Sequence, residues 1–141
     1  MAGGNRWLSK QLDEEVKNSP FVKDIIFLEK ISDEEKVFLY NSAKVFVYPS
    51  FFEGFGFPPI EAQACGIPVI SSDRASLPEI LGSSALLFDP WRLDELYFGI
   101  KSLTQDSAIR EKMIKLGLDN AARFSWSRAA NKTLEVFKKI I

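Results

Sequence analysis

Two short apolar runs, Val45-Phe46-Val47-Tyr48 and Pro68-Val69-Ile70-Ser71, flank a helix whose start and stop are both written in the sequence. Pro58 and Pro59 sit where a first helical turn tolerates residues without an N–H, and Gly66 sits where helices end. The helix is therefore predicted from about Pro58 to Cys65. The flanking runs are branched and aromatic, which predicts strands, the first closed by Pro49. Two strands joined through one helix, each apolar enough to be covered on both faces, point to a parallel sheet with a right-handed crossover.

The same alternation extends in both directions. Leu8, Leu12 and Val16 recur every four residues and predict a short helix ending near Asn18-Ser19-Pro20. Ile25-Ile26-Phe27-Leu28 reads as a buried strand, and Ser32 with Glu35 forms a capping box for a helix to about Ala43. Leu77-Pro78-Glu79-Ile80 predicts a helical turn, and Ala85-Leu86-Leu87-Phe88 a fourth strand stopped by Asp89-Pro90. Beyond Pro90 only helical spacing is found: Trp91 to about Leu103, Ser107 to about Arg123, and Trp126 to Ile141 with Ser125 as a cap. The expected fold class is α/β, a parallel Rossmann-like sheet with flanking helices, closed by C-terminal helices that lie against the sheet or reach beyond it. The last helix is expected to pack on protein; its adjacent Lys138 and Lys139 are thin support for a membrane surface.

Composition narrows the function classes. With 141 residues, 46% of them hydrophobic, the chain has room for a single domain with a real core. A formal net charge of -1, with both signs interspersed, argues against nucleic acid as a partner. The single Cys65 permits no internal disulfide and reads as a small residue at a helix end. No run reaches the roughly 18 apolar residues of a membrane span, and the chain reads as cytoplasmic, with a peripheral place at the inner membrane face left open. There is no histidine. Catalysis would have to use carboxylates, amines, backbone dipoles or the substrate itself.

Chemistry concentrates between Glu53 and Val69. Glu53 and Glu61 bracket a Gly-Phe-Gly turn and the Pro-Pro helix start, directly after a strand. Glycines admit a ligand close to the backbone, a helix start offers N–H groups to an anion, and carboxylates accept hydrogen bonds from hydroxyls. That combination suits a sugar joined to phosphate. A glycoside hydrolase also uses paired carboxylates, but they must face each other across one bond, which a turn followed by a proline-started helix does not imply. Phe51, Phe52, Phe55 and Phe57 read as packing residues, Glu79 as first-turn helix chemistry, and Ser71, Ser72 and Arg74 as turn formers or crevice lining.

An ordered series of motifs then covers essentially the whole chain. It runs from Ala2-Gly3-Gly4 through Phe27-Leu28, Ser32-Asp33-Glu34-Glu35, Leu39-Tyr40 and Ala43 to VFVYPSFFEGFG, and on through Ser71 and Ser72, Leu77-Pro78-Glu79, Asp89-Pro90 and Phe124-Ser125-Trp126. The series resembles the C-terminal, nucleotide-sugar-binding domain of the group 1 retaining glycosyltransferases of GT-B fold. The resemblance implies that Glu53 is the catalytic carboxylate facing the donor sugar and phosphate, and that Glu61 accepts hydrogen bonds from the ribose. It implies that the backbone of Gly54, Phe55, Gly56 and Phe57 stabilises the leaving diphosphate, and that the backbone near Lys30 and Ile31 lines the nucleobase. It further implies front-face transfer of a hexose to a glycan or lipid-linked acceptor, as in polysaccharide biosynthesis. No metal and no cofactor beyond the nucleotide-sugar donor is expected, and no Asp-x-Asp element is present. The Pro-Pro pair is reminiscent of the family's mannosyltransferases.

The family's domain normally opens with one more strand, helix and glycine-rich turn, carrying an Arg and a Lys that clamp the diphosphate; nothing here matches them. The expected domain content of residues 1–141 is thus a single, incomplete donor-binding domain, without the N-terminal acceptor domain. Two missing cations would remove charge-assisted bonds worth about 1.5–3 kcal/mol each, so the isolated chain is expected to be inactive. A sheet edge beside Val45 to Tyr48 is expected to favour an oligomer or a partner. The alternative reading is a non-catalytic nucleotide-sugar-binding or partner subunit.

Overall fold

The Ser32 and Glu35 pair forms the reciprocal box that the sequence predicts. The Ser32 N–H donates to Glu35 Oε2 at 2.7 Å and the Glu35 N–H donates to Ser32 Oγ at 3.2 Å. Two of the orphan donors at a helix start are thereby satisfied. The computed structural model describes residues 9–28 and 30–140. Ala2-Gly3-Gly4, Leu8 and Ile141 lie outside the described residues.

The contacts divide the chain after Phe38 into two compact units. In the first, α1 (Ser9–Asn18) is followed by a 3-10 turn (Val22–Asp24) and by the start of α2 (Asp33–Ser42). The expected strand at Ile25–Leu28 is not formed: the chain is irregular up to a one-residue bridge at Leu28, and Ile26 is 65% exposed. A strand needs a neighbour along its length to hold its alternation, and the described residues of this unit contain no ladder.

The second unit holds a parallel three-stranded sheet in the order β1 (Phe46–Tyr48), β2 (Val69–Ser72), β3 (Leu86–Phe88). Phe46 pairs with Val69, and Ile70 with Leu86. Two helices make the crossovers. α3 (Phe57–Ala64) joins β1 to β2, and α4 (Leu77–Leu81) with a 3-10 turn (Gly82–Ser84) joins β2 to β3. Every residue of the central β2 is buried. Neighbours along it serve opposite faces: Val69 joins Tyr40, Ala62, Ile67, Leu77, Leu81 and Ala85, whereas Ile70 joins Phe88, Leu103 and Met113. The sheet is thus covered on both sides, as a short parallel sheet requires.

Three helices close the chain: α5 (Leu93–Gln105), α6 (Ser107–Ala121) and α7 (Trp126–Ile140). Asp106 caps α6 through the Ile109 N–H, and Ser125 caps α7 through the Arg128 N–H, at 3.2 Å. α5 packs on the sheet and α6 on α3. α7 departs from the expectation of packing: none of its residues is buried, with Trp126 81% and Ile140 76% exposed. No described helix is long and apolar enough to cross a membrane.

Candidate functional site

The turn after β1 carries Glu53, and three hydroxyls fix it. Tyr48, the last residue of β1, donates to Glu53 Oε1 at 2.6 Å, and Ser50 Oγ donates to the same oxygen at 2.9 Å. Ser76, just ahead of α4, donates to the backbone carbonyls of Glu53 at 3.0 Å and Phe55 at 3.1 Å. The strand ends beneath are tied as well: Ser71 Oγ donates to the Tyr48 carbonyl at 3.4 Å and Ser72 Oγ to the Ser50 carbonyl. Both serines are buried, so bonding to neighbouring backbone is what makes a hydroxyl tolerable there. They shape the turn rather than line a crevice.

Gly56 lets the turn meet the helix. It stands at φ +99°, the left-handed region that favours glycine, and a Cβ there would lie 2.7 Å from Leu77 Cδ2. Pro58 and Pro59 follow within the first turn of α3. Neither has an N–H, so the donors at this helix start are confined to the backbone of Gly54, Phe55, Gly56 and Phe57. The helix dipole adds partial positive charge at the same end.

Glu61 lies one turn inside α3 and is half-buried. Tyr40, on α2, donates to Glu61 Oε2 at 3.3 Å and shares that proton with the Pro58 carbonyl at 3.4 Å, a looser grip than Tyr48 has on Glu53. Burial, and then the adjacent carboxylate, raises the pKa of both tyrosines, so each remains a protonated donor across neutral pH.

The aromatic residues of the turn divide. Phe55 is half-buried between Phe57, at 4.8 Å between ring centroids, and Phe124, at 5.6 Å, and is a packing residue as read from the sequence. The others differ from that reading. Phe52 is 82% exposed; Phe51 and Phe57 are about half exposed and rest on Trp91 and Trp126. Arg74 is engaged in ion pairs with Asp89 at 2.7 Å and Asp73 at 3.2 Å. Lys30 is exposed and Ile31 half-buried in the irregular stretch before α2, in the first unit. A hollow of ≈ 300 Å³ lined by Leu81, Ser84, Asn120 and Arg123 contains none of the candidate residues, which belong to a separate wall formed by the turn after β1 and the start of α3. No group of His, Cys, Asp or Glu among the described residues is arranged to hold a metal ion.

This wall lies in a chain whose residues 1–119 match the family model of the glycosyl transferases group 1. The chain belongs to the group 1 glycosyl transferases. The O-antigen chain mannosyltransferase B of Escherichia coli is 41% identical over 114 residues, which is 81% of this chain and 30% of that protein. The chain thus spans less than a third of the length of this curated relative. Among solved structures, sucrose-phosphate synthase from Thermosynechococcus elongatus superposes with a TM-score of 0.83 at 26% identity, over 98% of this chain and 37% of that one. The C-terminal domain of a group 1 family glycosyl transferase from Francisella tularensis gives 0.70 at 30% identity, over 82% and 60%. The α/β architecture is therefore that of a C-terminal GT-B domain, within a family of sugar-transferring enzymes.

Sequence reasoning singled out both carboxylates of this wall but assigned no role to Tyr40, Tyr48, Ser50 or Ser76. Ser50 carried a signal, since Ser-x-x-Glu is the spacing of the capping box at Ser32. Tyr40 carried none, because its partner lies twenty-one positions along the chain.

Proposed function

We propose that these residues form the donor side of a retaining hexosyltransferase that takes a nucleoside diphosphate sugar. The observation that carries the reading is a carboxylate fixed by two hydroxyls at the head of a helix whose usable donors are confined to the adjoining turn. Glu53 accepts hydrogen bonds from the sugar, Glu61 from the ribose, and the backbone N–H groups of Gly54 to Phe57 hold the diphosphate as charge develops on it. The bond from the anomeric carbon to phosphate breaks while the acceptor oxygen bonds to that carbon on the same face. The acceptor proton goes to the departing diphosphate, so neither a histidine nor a metal is needed for the proton. The name of the Escherichia coli relative favours mannose as the sugar and a growing glycan, lipid-linked or free, as the acceptor.

Acceptor contacts are assigned to residues beyond these 141, in keeping with the 30% span of that relative. The chain by itself is expected to bind donor weakly and to transfer nothing. Ligand-detected NMR with GDP-mannose and UDP-glucose at millimolar concentration tests the binding. Glu53→Gln keeps an acceptor for Tyr48 but loses the charge, and should weaken the bound donor about tenfold. Equal binding by wild type and Glu53→Gln, or robust transfer by the chain alone, overturns the proposal.

A further inference from the structure

Tyr48 is held at both ends. Its ring stacks on Phe46 at 5.9 Å and 22° between planes, and Phe46 meets the buried Tyr40 edge-on at 5.3 Å. Its hydroxyl reaches Glu53 Oε1 at 2.6 Å, the short distance of a bond from a hydroxyl to an ionised carboxylate. Ser50 addresses the same oxygen. The last torsion of a glutamate has a broad, shallow profile, so an unassisted carboxylate would sample many orientations. Two donors converging on one oxygen select a single orientation of the carboxylate.

We infer that Tyr48, supported by Ser50, is the positioning residue for the donor sugar, acting through the Glu53 carboxylate. The inference rests on the reading of Glu53 as the sugar-facing group. Its chemical consequence is selectivity within one ligand: Tyr48 matters for the hexose and not for the nucleoside diphosphate, which is held by Glu61 and the turn backbone. Fixing the carboxylate before the donor arrives lowers the ordering cost of binding. Burial and Glu53 itself keep the Tyr48 hydroxyl protonated, so it serves as a permanent donor and not as a base.

Tyr48→Phe tests this, because it retains the ring stack on Phe46 and removes only the hydroxyl. The chain, its Tyr48→Phe, Ser50→Ala and Glu53→Ala variants, and the Tyr48→Phe/Glu53→Ala double variant are titrated with GDP-mannose, UDP-glucose, GDP and UDP by ligand-detected NMR. Tyr48→Phe is expected to weaken the sugar nucleotide that wild type binds by about tenfold and leave its bare diphosphate within about twofold. Ser50→Ala shows the same selectivity with a smaller loss. In the Glu53→Ala background, Tyr48→Phe has no further effect. Unchanged sugar-nucleotide binding, an equal loss of both ligand types, or an additive loss in the double variant overturns the role of Tyr48 while leaving the donor site standing. If wild type binds none of the four ligands, the donor-site reading fails and the role of Tyr48 falls with it.

Discussion

The two ends of α3 treat polar groups in opposite ways. At its C-terminal end Gln63 is 1% exposed, and its amide is divided between Ser84, which receives Nε2 at its Oγ (2.8 Å) and carbonyl (3.0 Å), and Asn120, whose Nδ2 donates to Oε1 at 2.8 Å. Gly66, at φ +73°, ends the helix with its N–H on the Gln63 carbonyl at 2.9 Å. Among the described residues no buried side-chain polar atom lacks a partner. At the N-terminal end the carboxylate of Glu53 is gripped through one oxygen, Gly54 is exposed, and the helix begins on prolines. A polar group used up by its own chain maintains the fold; a polar group held from one side only is presented to something else.

The largest expected effect is at the closed end. Gln63→Ala strips a partner from Ser84 and from Asn120 inside the contact of α3 with α6 and leaves a cavity. It should lower stability by about 3 kcal/mol, read from urea unfolding, while molecules that stay folded bind donor as wild type does. A loss of donor affinity without a loss of stability would reverse the contrast between the ends.

Gly56→Ala probes the open end and should cost about 2 kcal/mol, because the added Cβ meets Leu77 and the backbone stands at positive φ. Unlike Gln63→Ala, it should also abolish donor binding in the folded fraction, since an alanine is strained at φ +99° and relaxing that strain swings the turn backbone away from its present direction. Tight donor binding by a destabilised Gly56→Ala variant would separate the turn backbone from the diphosphate.

The contrast also explains what the sequence made legible. Both boundaries of α3, the Ser32 and Glu35 box, the Ser125 cap and three of the strands follow from signals within a few residues, and the structure has them. The two carboxylates were visible because their spacing brackets a turn and a proline-started helix. What holds them was not, because Tyr48 meets Glu53 around a turn, Tyr40 reaches Glu61 from another helix, and Asn120 meets Gln63 across fifty-seven positions. Pairings of that kind are decided by how elements stack, which propensity does not encode. The strand expected at Ile25–Leu28 shows the same limit from the other side: an apolar run specifies a strand only where a ladder receives it, and among the described residues its pairing goes no further than the bridge at Leu28.

The smallest expected effect sharpens the comparison most finely. The Ser76 hydroxyl donates to two carbonyls, those of Glu53 and Phe55, on either side of Gly54. Ser76→Ala removes that tie from a half-buried site that solvent can partly replace, so global stability should fall by only about 0.5–1.5 kcal/mol. The local consequence should be larger than the global one. Backbone motion at Gly54 and Gly56, read from amide-nitrogen relaxation, is expected to accelerate, whereas motion at Gly66, at the far end of the same helix, stays as in wild type. Parallel acceleration at Gly66 would mean that the two ends open as one unit, and that the exposed turn owes its shape to the fold as a whole and not to the hydroxyls that hold it.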